Sequence, residues 1–219
     1  GDLSSDAGLL LIKEFAAKIG FTKLIKKKFK TNDEAVRFHK DAENLLQMIY
    51  QVISAYFEDD CADELTLDPV FQAVLGKESL ASQPTLSRFF NRMDEDTLVQ
   101  FDDIDKNLRD IIYSIKRPEH VLLDLDSTLL GTYGRQEGEG FNFHYQAHGY
   151  HPLLCYDGLT GDLIKAELRD GTLYCSNGAD KFMKSIFQEY LERGINTYLR
   201  GDSGFSSPKL YETCESNGC

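Results

Sequence analysis

Apolar positions along the chain follow two different periods. From residue 9 to about 115 they recur at three- and four-residue spacing, which predicts helices. The stretch "GLLLIKEFAAKIGFTKLIKKKF" (8–29) carries this pattern and breaks at Gly20, while "ENLLQMIYQVISAYF" (43–57) is apolar enough to predict a buried central helix. In "DPVFQAVLG" (68–76), Asp68 is placed as N-cap, Pro69 as first helical residue and Gly76 as terminator. A further helix is predicted to start near Ser82 or Gln83, beside Pro84, and the four-residue spacing puts its Arg88 and Arg92 on one face.

From His120 the period changes. "HVLLDLDST" (120–128) predicts a strand, and "FHYQAHGYHPLLCYDGLTGDLIKAELRDGT" (143–172) predicts two more around the turn "DGLTGD". "NGADKFMKSIFQEYLERG" (177–194) predicts a helix with an apolar stripe of Phe182, Ile186, Tyr190 and Leu191, closed by Gly194. "INTYLRGDSGF" (195–205) is a fourth strand, and "SSPKLYETCE" (206–215) opens a last helix with Ser207 as cap and Pro208 behind it. The expected fold is α+β or α/β: a helical region over 1–118, then a partial mixed sheet over 119–219. Its order is three antiparallel strands, a helix, a parallel strand and a helix.

Within the first strand, Asp124 and Asp126 share parity and therefore one face. Asp126 stands near the end of strand one and Asp202 at the end of strand four, where sites assemble in open sheets. Two such carboxylates repel unless a cation lies between them, which points to Mg2+ or Mn2+ and to phosphoryl-transfer chemistry at a two-metal site.

Composition changes this picture in few ways. The 219 residues are 42% hydrophobic and 11% aromatic, enough for a packed core. The formal charge of −12 argues against broad nonspecific nucleic-acid binding, though a local basic patch remains compatible with it. The five cysteines form no C-x-x-C pair. No apolar run reaches the roughly 18 residues that span a bilayer, so the expectation is a soluble intracellular protein with no membrane partner. His144, His148 and His151 lack the spacing of a zinc site.

Two resemblances bear on the aspartates. "LLDLDSTLL" resembles the first motif of haloacid-dehalogenase-type phosphatases, which would make Asp124 a nucleophile and predict a helix directly after the first strand. The wider set "DLDST" (124–128), "YGRQEG" (133–138), "GYHPLL" (149–154) and "RGDSGF" (200–205), with "SDAGLLLIKEF" and "SQPTLSRFFNR" before it, resembles the DDE transposases of bacterial insertion sequences. That resemblance implies an RNase H-like core, a helical region associated with DNA binding, and metal-dependent cleavage and strand transfer at the ends of an insertion sequence. Double-stranded DNA is the implied partner, with a homodimer as a possible assembly.

By motif match the catalytic, metal-binding pair is Asp126 and Asp202, with Asp124, Ser127 and Thr128 in support. Arg135, Gln136, Arg88, Arg92 and Arg200 are the residues that could contact DNA or orient a carboxylate. The resemblance also implies a third catalytic Glu on a later helix, for which Glu212 and Glu215 come too early. The expectation is therefore a fragment of the enzyme that could be inactive by itself, acting only as a DNA-binding or oligomerising module.

Overall fold

The computed structural model describes residues 4–219, and the chain divides into two compact units, Gly1–Ile115 and Lys116–Cys219. The first unit is helical: α1 Leu9–Lys18, α2 Phe21–Lys28, α3 Asp41–Ile53, α4 Cys61–Leu65, α5 Pro69–Leu75, α6 Gln83–Phe90 and α7 Glu95–Ile115. Gly20 separates α1 from α2 with φ of 75°, a conformation that costs a residue without Cβ nothing. At α5 the local chemistry is complete: the Asp68 carboxylate accepts from the amides of Val70 and Phe71, each at 2.9 Å, and Gly76 ends the helix in the left-handed region.

Buried side chains of α2, α3, α6 and α7 form one cluster, including Ile25, Leu45, Leu46, Phe89 and Ile104. A second cluster joins Leu9, Tyr50, Leu65 and Phe71. The polar side of α3 is closed by specific bonds. Gln47 donates to the Ala81 carbonyl and accepts from the Ala81 amide, both at 2.8 Å, while itself only 2% exposed.

The second unit contains β1 His120–Ser127, β2 Leu130–Gly131, β3 Gly140–Asn142, β4 Ala147–Tyr150, β5 Leu153–Asp157, β6 Leu163–Glu167, α8 Ala179–Arg193, β7 Asn196–Gly201 and α9 Pro208–Ser216. Four strands form the main sheet in the order β6-β5-β1-β7. β1 is antiparallel to β5, β5 is antiparallel to β6, and β7 returns parallel to β1 after α8. This is the mixed sheet the sequence predicts. A second sheet, β2-β4-β3, lies between β1 and β5 in the chain and has no counterpart in the sequence reading. Its middle strand needs Gly149, where a Cβ would collide with the Leu130 carbonyl of β2.

β1 alternates. Val121, Leu123, Leu125 and Ser127 are buried, whereas Asp124 is half-buried and Asp126 exposed on the opposite face. The strand is therefore buried on one side only, which is why it tolerates two carboxylates. In α8 the buried positions are Phe182, Met183, Ile186, Phe187 and Tyr190. Leu191, expected in the apolar stripe, is 64% exposed because it lies one residue beyond the covered face, and Phe187 and Met183 complete the stripe instead.

Candidate metal centre at the ends of the central strands

The geometry of the centre follows from register. Along the parallel pair, Asp124 lies opposite Arg200 and Leu125 opposite Gly201. Asp126 is the next residue of β1 and Asp202 the first residue after β7, so both stand at the C-terminal ends of neighbouring strands, which in a sheet lie about 4.8 Å apart. The Asp126 Oδ1 accepts from the Ser127 amide at 2.7 Å. Asp202 caps the 3-10 turn Ser203–Phe205, its Oδ1 accepting from the Gly204 amide at 2.8 Å. Neither carboxylate forms an ion pair among the described residues, and each has a second oxygen outside these bonds.

Gly204 keeps this turn tight. A Cβ there would stand 2.9 Å from Asp202 Oδ1 and 3.4 Å from the sulfur of Cys175. Cys175 in turn accepts from the Ser127 hydroxyl at 3.3 Å. Ser127 thus points to the buried side of the strand and supports the end of β1 from behind. Thr128 is exposed immediately after it.

Asp124 has a different environment from Asp126. Arg200 Nε donates to its Oδ1 at 2.9 Å, and the guanidinium Nη2 donates to Oδ2, so both carboxylate oxygens are engaged. The bond from Arg200 holds the Asp124 carboxyl below its usual range, and Asp124 raises that of the guanidinium. Arg200, expected to meet Asp202 or a phosphate, turns instead to the neighbouring strand, because its register partner is Asp124. Such a carboxylate is poorly placed to attack phosphorus, and β1 is followed by β2 and the second sheet where the phosphatase reading requires a helix. Both observations go against an Asp124 nucleophile.

Arg135 and Gln136 lie in the exposed loop between β2 and β3. In the helical unit Arg88, within α6, and Arg92, just past its end, separate. Arg88 is exposed, but the side chain of Arg92 is only 13% exposed, and its Nη2 donates to Asp41 at 2.7 Å. Arg92 is therefore a structural clasp in this unit rather than an exposed partner of Arg88. The rotation between them comes from α6 ending at Phe90, so that Arg92 lies past the helix and outside the four-residue spacing.

Mg2+ is commonly held by one or two carboxylates together with water and substrate phosphate oxygens. Two adjacent aspartates with oxygens to spare fit that demand. No set of three or more His, Cys, Asp or Glu suited to a metal occurs among the described residues, so an all-protein cage is not what this centre resembles.

Sequence reasoning gave no role to Tyr145 or Arg169 and placed His151 only outside a zinc site. Tyr145 sits in the turn between β3 and β4, His151 is 1% exposed at the start of β5, and Arg169 is 7% exposed beyond β6. Arg169 Nε donates to the His151 carbonyl at 3.0 Å, and the His151 amide donates back to the Arg169 carbonyl at 3.0 Å. No periodicity announces these residues, since they meet through the tertiary fold.

The family described as transposase DDE domain group 1 matches residues 1–219. No curated protein matches the chain. Among solved structures, the catalytic domain of Mos1 mariner transposase is similar at 12% identity, covering 57% of this chain and 58% of that one, with a TM-score of 0.32. The piggyBac transposase in a synaptic complex with hairpin DNA is similar at 17% identity, covering 89% of this chain and 44% of that one, with a TM-score of 0.43. The Mos1 mariner paired-end complex with Mn gives 12% identity, coverage of 99% and 77%, and a TM-score of 0.30. The chain thus spans about half the length of the first two of these proteins.

Proposed function

The chain belongs to the transposase DDE domain group 1 family, and on that premise we propose that it carries the first two catalytic carboxylates, Asp126 and Asp202, of a DNA transposase. What supports this reading is the parallel register of β1 and β7, which runs up to Leu125 opposite Gly201 and so leads Asp126 and Asp202 to the ends of neighbouring strands. The partner is double-stranded DNA, namely the ends of an insertion sequence and the target, and the setting is the bacterial cytoplasm. No helix among the described residues is long and apolar enough to cross a membrane.

The carboxylates of Asp126 and Asp202 would hold Mg2+ or Mn2+, and the chemistry such an ion would supply there is charge neutralisation at the phosphate and a more acidic water or 3′-hydroxyl. Asp126 is oriented by the Ser127 amide and Asp202 by the Gly204 amide, so both present an oxygen at the strand ends without needing to reorganise. Asp124 and Arg200 tie β1 to β7 one step earlier and fix the register on which the pair depends. The helical unit over 1–118 binds DNA and assists a homodimer, with its exposed Arg88, and Arg135 and Gln136 of the β2–β3 loop, available to phosphates.

A gel-shift and nicking assay on the terminal DNA of the insertion sequence tests this reading. Binding of that DNA by the chain, with the added affinity that Ca2+ or Mn2+ confers disappearing in Asp126→Asn and Asp202→Asn, is the expected result. Nicking by the chain that survives either substitution would reject the assignment.

A further inference from the structure

We propose that Tyr145 is a third member of the Asp126–Asp202 centre, its phenol standing against the oxygen shell of the bound ion as a hydrogen-bond donor. The inference rests on the ion-site reading above and adds a residue to it.

Tyr145 is held in place by a built turn. The buried side chain of Asn142 accepts from the amides of His144 at 3.0 Å and Tyr145 at 3.2 Å, and donates to the Gly171 carbonyl at 2.8 Å. Gln146 follows with φ of 54°, a conformation uncommon outside glycine that reverses the chain directly after Tyr145. The cost of that conformation is offset by the Asn142 bonds on one side and by a bond from Gln146 Nε2 to the Phe143 carbonyl on the other. A turn so constrained fixes where the Tyr145 ring goes.

The ring packs edge-on to His151, with centroids 5.8 Å apart. His151 is two residues ahead of Leu153, which pairs with Ser127, and Leu154 pairs with Asp126. Tyr145 is thereby brought to the same end of the sheet as the aspartates. His151 Nδ1 lies 2.8 Å from the Leu173 carbonyl, which can only accept, so Nδ1 carries a proton and the ring cannot swing away from Tyr145 without breaking that bond. His151 Nε2 is buried and has no partner among the described residues, which marks this side of the centre as polar and incompletely satisfied.

Electrostatics agree with the placement. Burial pushes the Tyr145 phenol up, and the negative charges of Cys175, Asp126 and Asp202 push it further in the same direction. The side chain is nonetheless 42% exposed, so its hydroxyl is accessible from solvent.

The chain has no tryptophan and 11 tyrosines, so Tb3+ emission excited through the protein reports a tyrosine close to the ion. The full chain is saturated with Tb3+, and emission excited through tyrosine is compared with emission excited directly. Wild-type protein should show sensitised emission, and Tyr145→Phe should lose more than half of it at saturation. Tyr211→Phe, which alters the tyrosine of α9 near Asp202, should lose little. Tyr145→Trp should restore strong emission, now excited in the indole band.

Emission that survives in Tyr145→Phe but vanishes in Asp126→Asn would overturn the role of Tyr145 and leave the ion site standing. Tb3+ binding unchanged in both Asp126→Asn and Asp202→Asn would overturn the ion site, and the inference with it.

Discussion

The two units treat their carboxylates differently. In the helical unit the acidic groups close on the unit's own cations: Asp41 with Arg92, Glu43 with Lys77 and Asp103 with Lys28. In the sheet unit Asp124 is closed by Arg200, but Asp126 and Asp202 meet only backbone amides. On the proposed function, a pair of carboxylates left to backbone amides is what a bound cation requires, whereas Asp124 already has its cation in Arg200. What separates a structural carboxylate from a functional one here is its partner, since Asp124 and Asp126 share a strand and a face.

The largest effect should come from breaking a closed bond in the helical unit. Gln47→Ala leaves the Ala81 amide and carbonyl unpaired in a buried site, which should destabilise the protein by about 3 kcal/mol in denaturant titration. Ion binding, measured on the same sample under native conditions, should be unaltered.

Arg92→Ala comes next, at roughly 2 kcal/mol, because it strands a carboxylate whose side chain is only 15% exposed. Burial pushes the Asp41 carboxyl up, but the bonds from Thr31 and Arg92 outweigh it and the net direction is down. A carboxyl lowered in the folded state stabilises above its unfolded value, near pH 4, and loses that contribution as pH falls through the folded value. Thermal melts between pH 5 and pH 3 should therefore show a shallower acid dependence in Arg92→Ala than in wild type. Arg88→Ala sharpens the contrast: its stability should change by less than about 0.5 kcal/mol, while its affinity for DNA should fall and its salt slope should flatten.

Asp124→Asn should have a smaller effect on stability than Arg92→Ala, about 0.5–1 kcal/mol, since the pair with Arg200 is partly exposed on both sides. The sign with pH is the same as for Asp41. Arg200 lowers the Asp124 carboxyl, so the pair contributes above about pH 4 and fades on acidification, a dependence that chemical denaturation across that range would reveal as absent in the variant.

What could be read from the sequence was whatever is encoded locally or by parity. The Asp68, Pro69 and Gly76 signals gave α5 its ends, because capping involves atoms a few residues apart. Phe101, Ile104, Leu108 and Ile111 carry a helical spacing that would have singled out α7, the 21-residue helix within the stretch read only as helical. The small sheet was not legible, since β2 and β3 are two and three residues long and owe their existence to Gly149 between them.

Parity placed Asp124 and Asp126 on one face, and the motif resemblance singled out Asp126 and Asp202. Only the register shows that Asp124 belongs to Arg200, although both pairs have the same offset of 76 residues (200 − 124 and 202 − 126). The contacts of Tyr145 and Arg169 with His151 were not legible in the sequence, because only the tertiary fold brings them together.

The most direct test of the open pair is Mn2+ binding followed by electron paramagnetic resonance on wild type, Asp124→Asn, Asp126→Asn and Asp202→Asn. The account predicts that Asp124→Asn binds Mn2+ as wild type does, while Asp126→Asn and Asp202→Asn each lose it. Equal loss in Asp124→Asn and Asp126→Asn, or undiminished binding in Asp126→Asn, would contradict it.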